Sequence, residues 1–208
     1  LSDVIRLMEL ASEHNRRIDH RTWTAIRETM MEQENVELTD QVVQQFLALL
    51  SRPIRLGEQL RKLHQLRVLE KIVPAVKHAR NLLQFNDYHK YTVDEHSMRA
   101  VKKASDFFGE PTVLGDVYRE LENKTILHLA LLIHDLGKGF PEDHSEVGKE
   151  IAAQTAERFG LNEHNTDILT HLVHKHLMMA HTAFRQDLHD QNVVIRFAAE
   201  ARSLEQLQ

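Results

Sequence analysis

The stretch Ile126-Leu127-His128-Leu129-Ala130-Leu131-Leu132-Ile133-His134-Asp135-Leu136-Gly137-Lys138-Gly139 decides the fold. Its first part, residues 126–133, is apolar nearly all round, which is typical of a helix at the centre of a helical domain. Two glycines and Pro141 follow, and they predict the end of that helix. The adjacent His134 and Asp135 therefore come where a buried helix meets a loop. Burying two such polar groups costs several kcal/mol unless something binds them, and a divalent metal would do so.

The rest of the chain also predicts helices. Only 7 glycines and 4 prolines interrupt the 208 residues, and no sustained alternation of apolar and polar residues indicates a sheet. We expect an all-α fold, a helical bundle. The expected helix-starting residues are Ser2 or Asp3, Asp19, Thr39 or Asp40, Pro53 in the first turn of its helix, and Asp143.

A soft domain boundary is expected near Pro74. Residues 1–74 predict a helical subdomain without evident catalytic residues, and residues 75–208 contain most of the histidines. The apolar seam of the last predicted helix continues to the final residue, and the chain begins at Leu1 without a methionine. We therefore interpret the sequence as a segment of a longer protein, truncated at the C-terminal end of its second domain.

Composition excludes several classes of site. The chain has no cysteine, which rules out disulfides, thiolate metal sites and cysteine nucleophiles, and fits a cytoplasmic protein. A net charge of -5 gives no reason to expect a nucleic-acid partner, and no apolar run is long enough for a membrane span. Residues 52–80 are locally basic, eight residues to two. That segment is either a solvated helix face or a docking surface for an acidic partner.

Two histidines after the central stretch are candidate metal ligands. His144 falls in the first turn of a helix that Asp143 would cap, on the face that it shares with Gly148. That position is compatible with a ligand and equally with a surface histidine. Ile168, Leu169, Leu172 and Val173 define one helical face, and His176 falls in its middle. We therefore take His176 as a ligand candidate.

The other histidines are weighed by the same geometry. His96 lies at the edge of the apolar face of its predicted helix, where a lone histidine is usually structural. His89 nearby is open to either role. His171 and His174 fall on the far side of the His176 helix, and we expect them to be solvated or to support the ligands from outside.

A histidine and carboxylate set suits Mn, Fe, Zn, Co or Ni, and also Mg where carboxylates and water dominate. Such a site hydrolyses phosphate esters without a protein nucleophile, because the metal lowers the pKa of bound water. Lys138 is placed to offset the charge that develops on a phosphoryl group, and Asp135 to act at the reacting centre. We found no glycine-rich phosphate loop and no nucleophile elbow.

The spacing of His96, His134-Asp135, His144 and His176 resembles the HD superfamily of metal-dependent phosphohydrolases. The sequences that flank these residues resemble one subfamily more specifically than the spacing does. Residues 87–96, 143–148 and 176–190 resemble blocks of the bifunctional uridylyltransferase/uridylyl-removing enzymes that modify the nitrogen-regulatory protein PII. The resemblance covers residues 60–208, and more loosely the helices before them.

The resemblance implies a fold of the HD-domain type, and a reaction in which uridylyl-tyrosine on PII is hydrolysed to release UMP. By the same resemblance His96, His134 and Asp135 are core metal ligands, and His144 and His176 are the extra histidines of two-metal members. The metal is typically manganese or magnesium, as one or two ions. Lys138 matches the lysine that follows the His-Asp pair.

The resemblance also implies parts that this sequence lacks. HD proteins need a late aspartate ligand, which we expect beyond Gln208, with Asp187 and Asp190 as nearer stand-ins. A nucleotidyltransferase domain is expected before Leu1, and glutamine-sensing ACT domains after Gln208. The leading prediction is therefore a uridylyl-removing phosphodiesterase. The alternatives are an HD phosphohydrolase acting on a free nucleotide, and a non-catalytic helical regulatory module.

Overall fold

A computed structural model of the chain describes residues 1–33, 36–83 and 90–207. Every regular element in those ranges is helical, which confirms the all-α prediction. A short 3-10 helix, Phe107–Gly109, lies between the seventh and eighth α-helices. The α-helices are α1 (Ser2–Glu13), α2 (His20–Glu32), α3 (Asp40–Ser51), α4 (Leu56–Gln65), α5 (Leu69–Ile72), α6 (Val76–Ala79), α7 (Val93–Asp106), α8 (Val113–Glu120), α9 (Lys124–Ile133), α10 (His144–Phe159), α11 (Glu163–His174), α12 (Met178–Arg185), α13 (Gln191–Ala201) and α14 (Leu204–Leu207).

Helix α9 occupies the centre of the molecule, as its all-round apolar sequence predicts. It packs against α3, α7, α10 and α11. Leu129, Leu132 and Ile133 are at most 1 % exposed. The helix starts behind Asn123, whose side chain accepts a hydrogen bond from the Ile126 amide. It ends at Ile133, so the His-Asp pair directly follows the most buried helix of the fold.

Local capping signals correctly predict three of the five helix starts expected from the sequence. The side chains of Asp19, Thr39 and Asp143 each accept a hydrogen bond from a backbone amide in the first turn of α2, α3 and α10. Two predicted starts are wrong. Helix α1 begins at Ser2 without a side-chain cap. Pro53 precedes α4 instead of lying in its first turn, because Arg55 adopts a left-handed conformation (φ 61°) and the helix begins at Leu56.

The C-terminal part departs from the predicted continuous helix. The apolar seam is interrupted at Arg202, which has φ 62°, so α13 ends at Ala201 and only the short α14 follows. Helix α11 likewise ends at His174, one turn earlier than the apolar periodicity implies. His176 consequently lies in the turn between α11 and α12 and not on a helix.

One hydrophobic core extends through both predicted domains. It runs from Ile5 in α1 to Val173 in α11, with Phe46 of α3 against Phe159 of α10 at a ring-centroid distance of 5.9 Å. The boundary at Pro74 stays a prediction. In the described ranges, no helix is both long enough and apolar enough to cross a bilayer.

The basic segment at residues 52–80 pairs largely within the protein. Arg61 meets Glu95 at 2.7 Å, and Arg80 meets Glu70 at 2.8 Å. Glu58 pairs with a residue on each side of it. This internal pairing favours a structural role for the segment over a docking surface.

Candidate metal centre

Asp135 lies at the centre of a cluster of histidines. The residue is only 3 % exposed. Oδ2 lies 3.3 Å from Nε2 of His134 and 3.5 Å from Nε2 of His96, while Oδ1 lies 3.5 Å from Nε2 of His176. The rings of His144 and His176 are 5.6 Å apart between centroids. The fold thus brings all five sequence-predicted ligands to one place.

The five residues form two sets with ligand spacing. His96, His134 and Asp135 make one set, and Asp135, His144 and His176 make the other. Within each set the candidate ligand atoms lie within 4.8 Å of one another. Asp135 belongs to both, so one carboxylate oxygen faces each group. This arrangement has the donor chemistry for one ion or for two neighbouring ions that share the aspartate.

Backbone carbonyls orient two of the rings. His134 Nδ1 donates to the Leu131 carbonyl at 2.8 Å, and His176 Nδ1 donates to the Val173 carbonyl at 2.7 Å. A proton on Nδ1 leaves the Nε2 lone pair directed at Asp135. Outer hydrogen bonds of this kind set the tautomer and orientation of metal-binding histidines.

Unpartnered buried nitrogens provide the test of whether a metal fits. The Nε2 atoms of His144 and His176 are inaccessible to solvent and have no hydrogen-bond partner. Leaving a buried acceptor unsatisfied costs about 1–3 kcal/mol, and a native structure rarely tolerates it without a reason. A cation between these nitrogens and the Asp135 carboxylate satisfies both groups at once. The residues present therefore fit a divalent metal.

Electrostatics hold the groups in the protonation states that metal binding requires. Burial by itself would raise the pKa of Asp135, but the neighbouring His134, His176 and Lys138 side chains outweigh it and hold that pKa well below its usual range. Burial, together with the neighbouring His176, lowers the pKa of His144 below its ordinary value. The site thus presents an ionised carboxylate and a neutral imidazole near pH 7.

The loop after α9 and the start of α10 fit together through two glycines. A Cβ on Gly137 would lie 2.2 Å from the His144 carbonyl oxygen and 2.7 Å from the Gly148 amide nitrogen. A Cβ on Gly148 would meet Val173 at 3.2 Å. The absence of side chains lets α10 approach the His-Asp loop and α11 closely. That approach brings His144 to Asp135.

Three predicted or alternative site residues take other roles. His174 lies at the rim, with Nε2 2.9 Å from Glu146 Oε1. Asp187 and Asp190 accept backbone hydrogen bonds from His189 and Asn192, and within the described residues they belong to neither ligand set.

Of the two roles expected for His171, a solvated side chain is wrong, and support of the ligands from outside stays a prediction. Its side chain is buried, with 7 % of the residue exposed, and burial lowers its pKa. Periodicity places it on the far side of α11, but the C-terminal helices, with Phe197 and Ala201, cover that side. His89, left open above, lies outside the described residues.

Sequence reasoning did not single out His128, which is fully buried in α9. Its Nδ1 donates to the Leu50 carbonyl at 2.6 Å, and its Nε2 accepts from the Tyr118 hydroxyl at 2.8 Å. Both ring nitrogens are therefore satisfied, so this histidine joins α3, α8 and α9 and is not a ligand. Its position as a polar residue inside an apolar run was the sequence signal that could have identified it as a buried, hydrogen-bonded histidine.

Comparison with known proteins agrees with the geometry. A family model described as "HD domain" matches residues 93–207. The bifunctional uridylyltransferase/uridylyl-removing enzyme of Pasteurella multocida (strain Pm70) is 36 % identical over 160 residues, covering 74 % of this chain and 18 % of the relative. The enzyme of the same name from Erythrobacter litoralis (strain HTCC2594) is 33 % identical over 211 residues, covering 98 % of this chain and 23 % of the relative.

The chain thus spans about a fifth of the length of the curated relatives it matches. The matched region begins at the start of α7 and includes every residue of the two ligand sets. Together, the family match and the cluster around Asp135 show that this chain belongs to the HD-domain family.

Proposed function

We propose that this chain is the hydrolytic part of a metal-dependent phosphodiesterase, and that its substrate is a uridylylated PII-like signalling protein from which it releases UMP. The observation that carries the hydrolytic part is the buried Asp135 carboxylate, facing four histidines of which two have unpartnered Nε2 atoms. The substrate part rests on the relatives, whose names describe uridylyl removal.

The protein's own residues divide the work. Asp135 and the four histidines would hold the ion, with manganese or magnesium the first candidates and Fe, Zn, Co or Ni compatible with the same donors. When bound, such an ion lowers the pKa of a coordinated water and polarises a phosphoryl oxygen. Hydrogen bonds to the carbonyls of Leu131 and Val173 fix the orientation of the His134 and His176 rings.

Lys138 provides positive charge beside the ligands. Its Nζ lies 2.8 Å from Asp135 Oδ2, and its side chain is 12 % exposed. A cation in this position offsets the negative charge that builds up on a phosphoryl group as water attacks. We propose Lys138 as a residue that stabilises this charge, and Asp135 as the residue on which the whole site depends.

The same relatives support a proposal about the full-length protein. We propose that the full-length protein also carries a nucleotidyltransferase domain and ACT domains, and that a PII-like protein is the physiological partner. Within the present chain, the described residues offer a hydrolytic centre of the HD type and no second catalytic cluster with metal-ligand spacing.

The direct test is UMP release from uridylylated PII by the purified chain with added Mn²⁺, followed by chromatography. Asp135→Asn keeps the shape of the side chain but removes its charge, and we expect it to abolish release and to lower bound metal by elemental analysis. Asp40→Asn, at an exposed position in the first turn of α3, is the matched control and should behave as the parent does.

Three outcomes would contradict the mechanism, the substrate or the catalytic role, respectively. UMP release by Asp135→Asn at the parent rate would refute the mechanism. Faster hydrolysis of free nucleotides than of modified PII would refute the substrate. Stoichiometric metal without turnover on any phosphodiester would favour the regulatory-module alternative.

A further inference from the structure

An aromatic pair lies beside the metal centre and has no part in binding the ion. The rings of His78, in α6, and Phe140, in the loop before α10, are 4.1 Å apart between centroids and inclined by 32°. Phe140 nevertheless remains 41 % exposed. One side of the phenyl ring thus contacts an imidazole, and much of the remaining ring surface is open to solvent.

The turn that carries Phe140 is held firmly. Gly139 has φ 87°, a backbone conformation that residues with a side chain rarely adopt. A Cβ there would lie 2.7 Å from Leu82 and 3.1 Å from His78. His78 Nε2 also donates to the Lys138 carbonyl at 3.2 Å. The pair is therefore fixed by packing and by a backbone hydrogen bond.

Lys138 links this pair to the reacting centre. Its carbonyl receives the hydrogen bond from His78, and its ammonium group lies 2.8 Å from the carboxylate of Asp135. Phe140, two residues after Lys138, is therefore within reach of the nucleoside part of a substrate whose phosphate lies at Asp135 and Lys138. Phosphate-binding groups cannot recognise a nucleoside, whereas an exposed, immobilised aromatic ring can.

We propose that Phe140, supported from below by His78, is the stacking surface for the nucleobase of the nucleotidyl group that the site cleaves. This inference rests on the proposed function, and it adds the subsite that distinguishes a nucleoside phosphate from other phosphates. Every nucleobase has a π face, so stacking selects for the presence of a base and discriminates little among bases.

Product binding tests the subsite without requiring turnover. The probes are UMP and ribose 5-phosphate, which differ by the base alone, titrated in Mg²⁺ to keep the sample diamagnetic. The parent should bind UMP about tenfold more tightly, and Phe140→Leu should remove that preference while leaving ribose 5-phosphate affinity unchanged. In NMR spectra the uracil H5 and H6 resonances should move upfield with the parent and not with Phe140→Leu.

Two further variants separate stacking from packing. Phe140→Trp keeps an aromatic face and should retain the preference for UMP. Phe108→Leu removes a phenylalanine of similar exposure, 45 %, on the 3-10 helix before α8, and should match the parent.

Equal affinity of the parent for the two probes, binding of neither, or an undiminished preference in Phe140→Leu would each overturn the subsite. The proposed function is tested by a different measurement, UMP release by the parent and by Asp135→Asn, so its failure can be told apart from failure of the subsite. A chain that never turns over still reports whether a base stacks on Phe140.

Discussion

Nε2 of His176 faces Oδ1 of Asp135 at 3.5 Å, while Nδ1 of the same ring is committed to the Val173 carbonyl at 2.7 Å. His174, two residues earlier, is directed instead to Glu146 at the rim. Two histidines of one short segment therefore face different carboxylates, although either could have been taken for a ligand from composition alone.

This contrast predicts unequal effects on metal affinity. His176→Asn should weaken Mn²⁺ binding by more than the roughly 10- to 100-fold that loss of an outer-shell partner costs. His174→Asn should change it by no more than about fivefold, because an exposed ion pair is worth at most about 1 kcal/mol. Calorimetric titration of the two variants decides the assignment. Equal losses would place His174 among the ligands.

Gly137→Ala should damage the site without touching a ligand. The new Cβ would lie 2.2 Å from the His144 carbonyl, which is backbone and cannot rotate away, so α10 must shift. We expect a loss of about 1–3 kcal/mol in unfolding free energy, as for other overpacked positions, together with weaker metal binding.

Gly109→Ala is the control for this substitution, since nothing lies within 4 Å of its Cβ and its φ is not in the left-handed region. Denaturant titration and metal titration of both variants provide the measurement. If Gly137→Ala retained parent stability and affinity, the close approach of α10 would be unimportant for His144.

Lys138→Gln should separate turnover from metal binding. The ammonium group contacts Asp135 but is not a ligand, so bound metal should remain near the parent level. Hydrolysis should fall about 10²- to 10³-fold, the range seen when one group that stabilises transition-state charge is removed. Lys149→Gln, on the exposed side of α10, should leave the rate unchanged. A rate loss matched by metal loss would make Lys138 structural.

The Tyr118–His128 pair predicts the pH range of greatest stability. Burial lowers the pKa of His128 below 6.5, so the unfolded chain takes up a proton there that the folded chain does not, and stability falls as the pH drops below about 6.5. Burial raises the pKa of Tyr118 to about 12 from 10.0, so the unfolded chain loses a proton first and stability falls as the pH rises above 10.

The acid side of this prediction has a direct measurement. His128→Gln cannot titrate, and its unfolding free energy should depend less steeply on pH below 6.5 than that of the parent, by up to about 1.4 kcal/mol per pH unit. Urea titrations at pH 5.5 and 7.5 compare the two. Identical slopes would show that His128 is protonated in the folded state.

Much of the site was predictable because local signals place its residues. The all-round apolar run of α9 predicts a central helix, and the glycines after it predict a loop at Asp135. Asp143 predicts the start of α10 and hence the inward direction of His144. These are properties of neighbouring residues, so periodicity and capping rules capture them.

Other features were decided only when distant segments packed together. Helical periodicity says which side of α11 His171 occupies, but not that the C-terminal helices cover that side. It also places His176 on a continuing helix, whereas the turn after α11 carries it and the Val173 carbonyl orients it.

The amino-acid sequence by itself determined the helical class, the central helix and the identity of the five candidate ligands. The tertiary structure alone decided that one carboxylate, Asp135, faces both histidine groups, that His128 joins three helices, and that His78 supports Phe140 beside Lys138. The physical reason is that each of these relationships depends on the distance between side chains from separate helices. That distance is set by how closely the glycines let the helices approach and by which core side chains pack between them.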